Sequence, residues 1–143
     1  MRTRQLIATI LFGAATSVGS AAQTANAPVQ FVCSGPKAEA GRKLAKENNL
    51  GLGLERGACF GEMKLTESDR RQLVVAAPSP RCKSGKLLNV YDQSRAGPYY
   101  ALFDQPVCGS AISAGPRSPY GDNMITIDRR HYLEKGGGFV PYK

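Results

Sequence analysis

The chain has 143 residues and a formal net charge of +8, from 19 lysines and arginines against 11 aspartates and glutamates. Four cysteines, a single histidine and no tryptophan leave few residues for a metal centre or a histidine-based catalytic cluster. No run of five or more basic residues occurs, which excludes a basic nucleic-acid arm, and one domain is expected at this length.

Arg2 and Arg4 precede an uncharged stretch, Leu6 to Ala15, which is followed by small and polar residues. That order predicts a Sec-type signal peptide. The apolar run is roughly half of the ~20 residues that span a bilayer, so no transmembrane anchor is expected. The signal is assigned to residues 1–22, with cleavage after Ala22 and an alternative after Ala27. Residues 23–143 then form a single periplasmic or secreted domain. Removing Arg2 and Arg4 takes its charge from +8 to +6.

Leu, Ile, Val and Phe make up only about a fifth of that domain, a thin supply for a core. Cys33, Cys59, Cys82 and Cys108 are therefore expected to form two disulfides, the default for an even number of cysteines in an oxidising compartment. The interval from Cys33 to Cys59 equals that from Cys82 to Cys108, which favours those two pairs. Each bridge is expected to contribute about 3–4 kcal/mol in the chain-entropy model. Metal binding needs close pairs such as Cys-x-x-Cys. None is present, so no metal is expected. No cofactor is expected either, because Lys83-Ser84-Gly85-Lys86 and the triple glycine 136–138 lack the spacing of a phosphate-binding loop.

In chain order, the alternation in residues 28–33 predicts a short strand. Pro36 opens a helix running from Lys37 to Asn48, with Ala40, Gly41, Leu44, Ala45 and Asn48 on its packing face. Residues 50–60 alternate apolar with glycine or polar residues and read as a strand. Thr66-Glu67-Ser68-Asp69 resembles a capping box for a second, short helix, although Leu73-Val74-Val75 equally suits a strand. Residues 86–91, 99–107 and 124–127 are strand candidates, and 109–121 reads as an irregular loop. Asp128 either caps a helix to Lys135 or lies in a continuing strand. The glycines at 136–138 then begin a flexible, extended C-terminal tail. The predicted fold is α+β: one mostly antiparallel sheet with one or two helices on one face, stapled by two disulfides.

Within residues 23–143 the charge surplus is even, +3 on each side of the boundary at Cys82. All six tyrosines follow Cys82 and are interleaved with arginines. Tyrosine and arginine are enriched at interface hot spots. Tyr91, Tyr99 and Tyr100 are assigned to the core, and Arg117, Tyr120, Arg129, Arg130 and Tyr142 to a basic contact surface. The expected partner is an anionic envelope component or an acidic protein. The sequence thus predicts a small exported binding protein of inhibitor, immunity or envelope-interaction type. The alternative is a small secreted hydrolase, nuclease or wall-directed, with His131 as a weak candidate for general acid or base. No Gly-x-Ser-x-Gly nucleophile motif is present.

Overall fold

A computed structural model describes residues 27–65, 71–93 and 97–142. The predicted signal segment and the predicted capping box at 66–69 lie outside them. After residues 28–33 the chain forms α1 (Pro36–Glu47), a 3-10 turn (Gly51–Leu54), β1 (Cys59–Met63), β2 (Gln72–Ala77), β3 (Lys86–Gln93), β4 (Tyr99–Ala101) and β5 (Val107–Gly109). It continues through β6 (Ile112–Ala114), β7 (Met124–Ile127), β8 (Arg130–Lys135) and β9 (Gly138–Pro141).

The strands build two antiparallel sheets rather than the single expected one. The first has the order β1-β2-β3, with β4 and β5 both paired to the far edge of β3; the second has the order β6-β7-β8-β9. Two clusters show how the layers stack. Val74, Ala76, Leu88 and Val90 of the first sheet meet Ile112, Ile125, Ile127, Tyr132 and Phe139 of the second. On the other face of the first sheet, Phe60, Val75, Ala77 and Tyr91 meet Ala38, Ala45, Leu50 and Leu52. The molecule is therefore helix on sheet on sheet. The alternation of β2 makes this possible: Val74 and Ala76 point to one core while Val75 and Ala77 point to the other. A strand buried on both faces reads as a continuous apolar run, and Leu73-Val74-Val75 belongs to β2, not to a helix.

The helix lies on the sheet through small residues. Its buried positions are Ala38, Gly41 and Ala45; Ala40 is exposed, so the packing face is turned from the predicted one. A Cβ at Gly41 would overlap the Phe60 ring, and the small residue is what lets helix and sheet approach. At the helix end Asn48 accepts from the Tyr99 N–H (3.3 Å) and donates to the Leu44 carbonyl (2.9 Å), tying α1 to β4.

Several elements differ from their sequence reading. Residues 50–58 turn back under the helix instead of forming a strand, because Leu50 and Leu52 both bury in the helix-side core. Gly53 fits closely against Ala45 there, where a Cβ would stand 2.6 Å from the Ala45 Cβ. The loop assigned to 109–121 contains β6, which pairs with β7. Asp128 neither caps a helix nor continues a strand; with φ 56° it sits in the two-residue turn joining Ile127 to Arg130. Gly136 and Gly137, both with positive φ, form a second such turn. The residues read as a flexible tail thus return as β9, with Phe139 buried.

The sandwich is closed along both sides by single strands of backbone bonding. Val32 pairs with Phe60 of β1, and three residues earlier the Val29 N–H donates to Ile112 of β6 (2.8 Å). On the opposite side the Leu102 N–H donates to Val90 of β3 (2.8 Å), and the Leu102 carbonyl accepts from Phe139 of β9 (2.7 Å). Edge groups that would otherwise invite pairing with another chain are used internally.

Candidate functional site

Both disulfides lie at one end of this sandwich and pair as the equal spacing suggested, Cys33–Cys59 and Cys82–Cys108. The register places the start of β1, the end of β2, the start of β3 and the end of β5 side by side there. The second sheet ends at the same place: the Ser110 and Ala111 N–H groups both donate to the Asp128 carboxylate (3.0 Å each), and Arg130 donates to the Cys108 carbonyl (2.8 Å). The Cys59 sulfur receives the Lys86 ammonium at 3.2 Å. Next to the loop at Pro78 stands Gly57, where a Cβ would lie 3.2 Å from the Pro78 ring, so the turn carrying Arg56 closes the same end.

Among the described residues this chain of contacts gathers, besides Arg42 bonded to the Cys33 carbonyl (2.7 Å) and 3.9 Å from Glu39, six cations: Arg56, Arg81, Lys83, Lys86, Arg129 and Arg130. Of these six, all except the half-buried Lys86 are exposed. The carboxylates among them are Glu55 and Asp128, and the latter is held by two backbone donors. At the far end of the strands, by contrast, the described residues Lys64, Arg71, Arg117 and Lys135 are matched in number by Glu62, Asp92, Asp122 and Glu134, with Arg71 and Glu62 3.5 Å apart. The surplus that is even along the sequence is therefore uneven in space.

The predicted contact residues divide between the two ends. Arg129, Arg130 and Tyr142 lie at the basic end, where the Tyr142 N–H donates to the His131 carbonyl (2.9 Å). Arg117 and Tyr120 lie at the other end, in the connection from β6 to β7; Tyr120 is 90% exposed. A four-residue strand such as β7 covers about 13 Å, so these two groups form no common patch. Arg117 instead lines an open groove of about 1180 Å³ along β1, together with Lys37, Glu62, Lys64 and Arg71. Of the tyrosines assigned to the core, Tyr91 is buried and Tyr99 packs against the helix-side cluster, whereas Tyr100 is 40% exposed. Burial pushes the Tyr91 phenol above its ordinary 10.0, partly offset by a backbone hydrogen bond at Leu52.

Sequence reasoning missed Arg56, Arg81, Lys83 and Lys86. Their one sequence signal was proximity to cysteines, since Arg81 and Lys83 flank Cys82 and Arg56 precedes Cys59 by three residues.

His131 lies on the outer face of the second sheet, opposite Thr126 in the register. Its Nδ1 is 2.9 Å from the Thr126 hydroxyl, and the ring is exposed. Among the described residues no carboxylate hydrogen-bonds to it, and Asp128 is engaged by Ser110 and Ala111. Among the described residues no group of three or more His, Cys, Asp or Glu side chains is placed to hold a metal ion, and no helix is long and apolar enough to cross a membrane. The chain matches no family model, no curated protein and no solved structure.

Proposed function

We propose that this chain is a small exported binding protein, of inhibitor, immunity or envelope-interaction type, that meets an anionic partner through its disulfide-clamped basic end. The observation that carries this reading is the concentration of cations there: among the described residues Arg56, Arg81, Lys83, Lys86, Arg129 and Arg130 face two carboxylates, while those at the far end are balanced. Like charges held close on a folded surface repel one another, a cost that an anionic partner relieves. The two bridges suit an oxidising compartment, and the leader-like N-terminus supports export.

The test is a charge-matched comparison. Arg56, Lys83 and Arg129, all exposed, are replaced together by alanine in one variant; Lys46, Lys64 and Lys135, also exposed, are replaced in another. Binding to polyphosphate is measured at low salt by titration calorimetry. The first variant is expected to lose most of its affinity and the second little. Equal losses would mean that net charge, not this surface, attracts the anion.

A further inference from the structure

We infer that the basic end is a docking surface for an anionic lipid bilayer; this deepens the proposed function and rests on it. Shape is the first reason. The six cations stand on separate turns and strand ends that together cap the sandwich, and none of them lines the groove along β1. A small anion is held by donors converging on one recess, whereas an extended surface of headgroups meets many separate cations at once.

Apolar side chains supply the second reason. Leu54, two residues before Arg56, is 51% exposed, and Tyr142, beside His131, is 44% exposed. Side chains of this kind among cations are accommodated at the boundary between headgroups and acyl chains, where tyrosine also concentrates. Single-stranded nucleic acid is the less favoured polyanion. It binds by stacking successive bases on aromatic rings, and of the exposed tyrosines only Tyr142 stands at this end; Tyr100 and Tyr120 lie at the other.

The magnitude is appreciable. Each lysine or arginine brought to an anionic membrane surface strengthens binding about fivefold. The effect fades beyond ~8 Å at physiological salt, so only cations at the contacting end count.

The experiment is flotation of the purified protein with vesicles of phosphatidylcholine alone and of phosphatidylcholine mixed with phosphatidylglycerol, at low and high salt. Binding is expected to the mixed vesicles at low salt and to fall steeply at high salt. The Arg56, Lys83 and Arg129 triple alanine variant is expected to bind about a hundredfold more weakly, and the Lys46, Lys64 and Lys135 variant to bind like the parent. Leu54→Ser is expected to weaken vesicle binding severalfold while leaving polyphosphate affinity unchanged, since a leucine contributes only where there are acyl chains to enter. Circular dichroism of each variant checks that it is folded. Polyphosphate binding without vesicle binding overturns the bilayer and leaves the anionic-partner reading standing. Vesicle binding that the two triple variants lose equally overturns the assignment of the surface. Failure to bind either probe overturns both.

Discussion

Asn89 occupies a gap in the first sheet. On one edge of β3, β5 pairs with Lys86 to Leu88 and β4 with Tyr91 to Gln93, so no strand residue faces position 89. The amide side chain takes that place. Its oxygen accepts from the Phe103 N–H (3.2 Å) and the Val90 N–H (2.8 Å), and its nitrogen donates to the Phe103 carbonyl (3.2 Å). Asn89 is 3% exposed, so water does not reach these groups readily. Replacing it with leucine keeps the branched shape and strands backbone groups in the interior, at ~1–3 kcal/mol for each unsatisfied group. Asn89→Leu is expected to lower stability by about 3 kcal/mol or more in urea unfolding. An unchanged midpoint would mean that the backbone finds other partners. Nothing in KLLNVY marks this role in advance: a polar residue in an apolar strand is ordinarily assigned to a solvated face, and only the arrival of two short strands on one edge creates the gap.

β9 is the element on which sequence and structure part most clearly. Its Phe139 ring stacks on Phe103 (centroids 5.5 Å apart), which in turn meets Tyr132 edge-on at 5.2 Å, while the neighbouring Val140 points outward and is 42% exposed. Alternation along one short strand therefore separates a core residue from a surface one. Phe139→Ala is expected to cost about 3–5 kcal/mol. Val140→Ala is expected to cost no more than ~0.5 kcal/mol. Thermal unfolding of the pair measures the difference, and equal effects would contradict the docking of β9. A signal for this element was present in the sequence. Gly136-Gly137 between apolar runs fits a two-residue hairpin turn as well as it fits a chain break. The residues 50–58 err in the opposite direction, because apolar residues alternating with glycine or polar ones are equally satisfied by a tight turn that buries Leu50 and Leu52.

For the molecule as a whole, the bridges do two things at once. Each closes a sequence separation of 26 residues, which limits the unfolded chain and contributes about 3–4 kcal/mol in the entropy model. That is a large part of the 5–15 kcal/mol typical of a domain. Cys82–Cys108 also fixes the β2–β3 loop, with Arg81 and Lys83, beside the strand end to which Arg130 is bonded. Replacing both Cys82 and Cys108 with alanine is expected to lower stability by about 3 kcal/mol and to weaken polyphosphate binding in protein that remains folded. A loss below about 1 kcal/mol would show that the loop is held without its bridge.

Composition and spacing were enough to indicate two disulfides and to favour their pairing, and to give a helix within a residue of its 36–47 bounds, an antiparallel sheet-rich architecture and the basic character of the chain. Each of these follows from local chemistry: equal cysteine intervals, a proline at the first helical turn, alternation in the strands, and a count of charges. The division into two sheets, the burial of β2 on both faces and the gathering of cations at one end were decided only by tertiary structure. Arg56, Lys83 and Arg129 lie on three separate turns, far apart in sequence. They come together because the strands run antiparallel and bring every second chain reversal to the same end, and charge counted along a chain carries no record of which reversals meet.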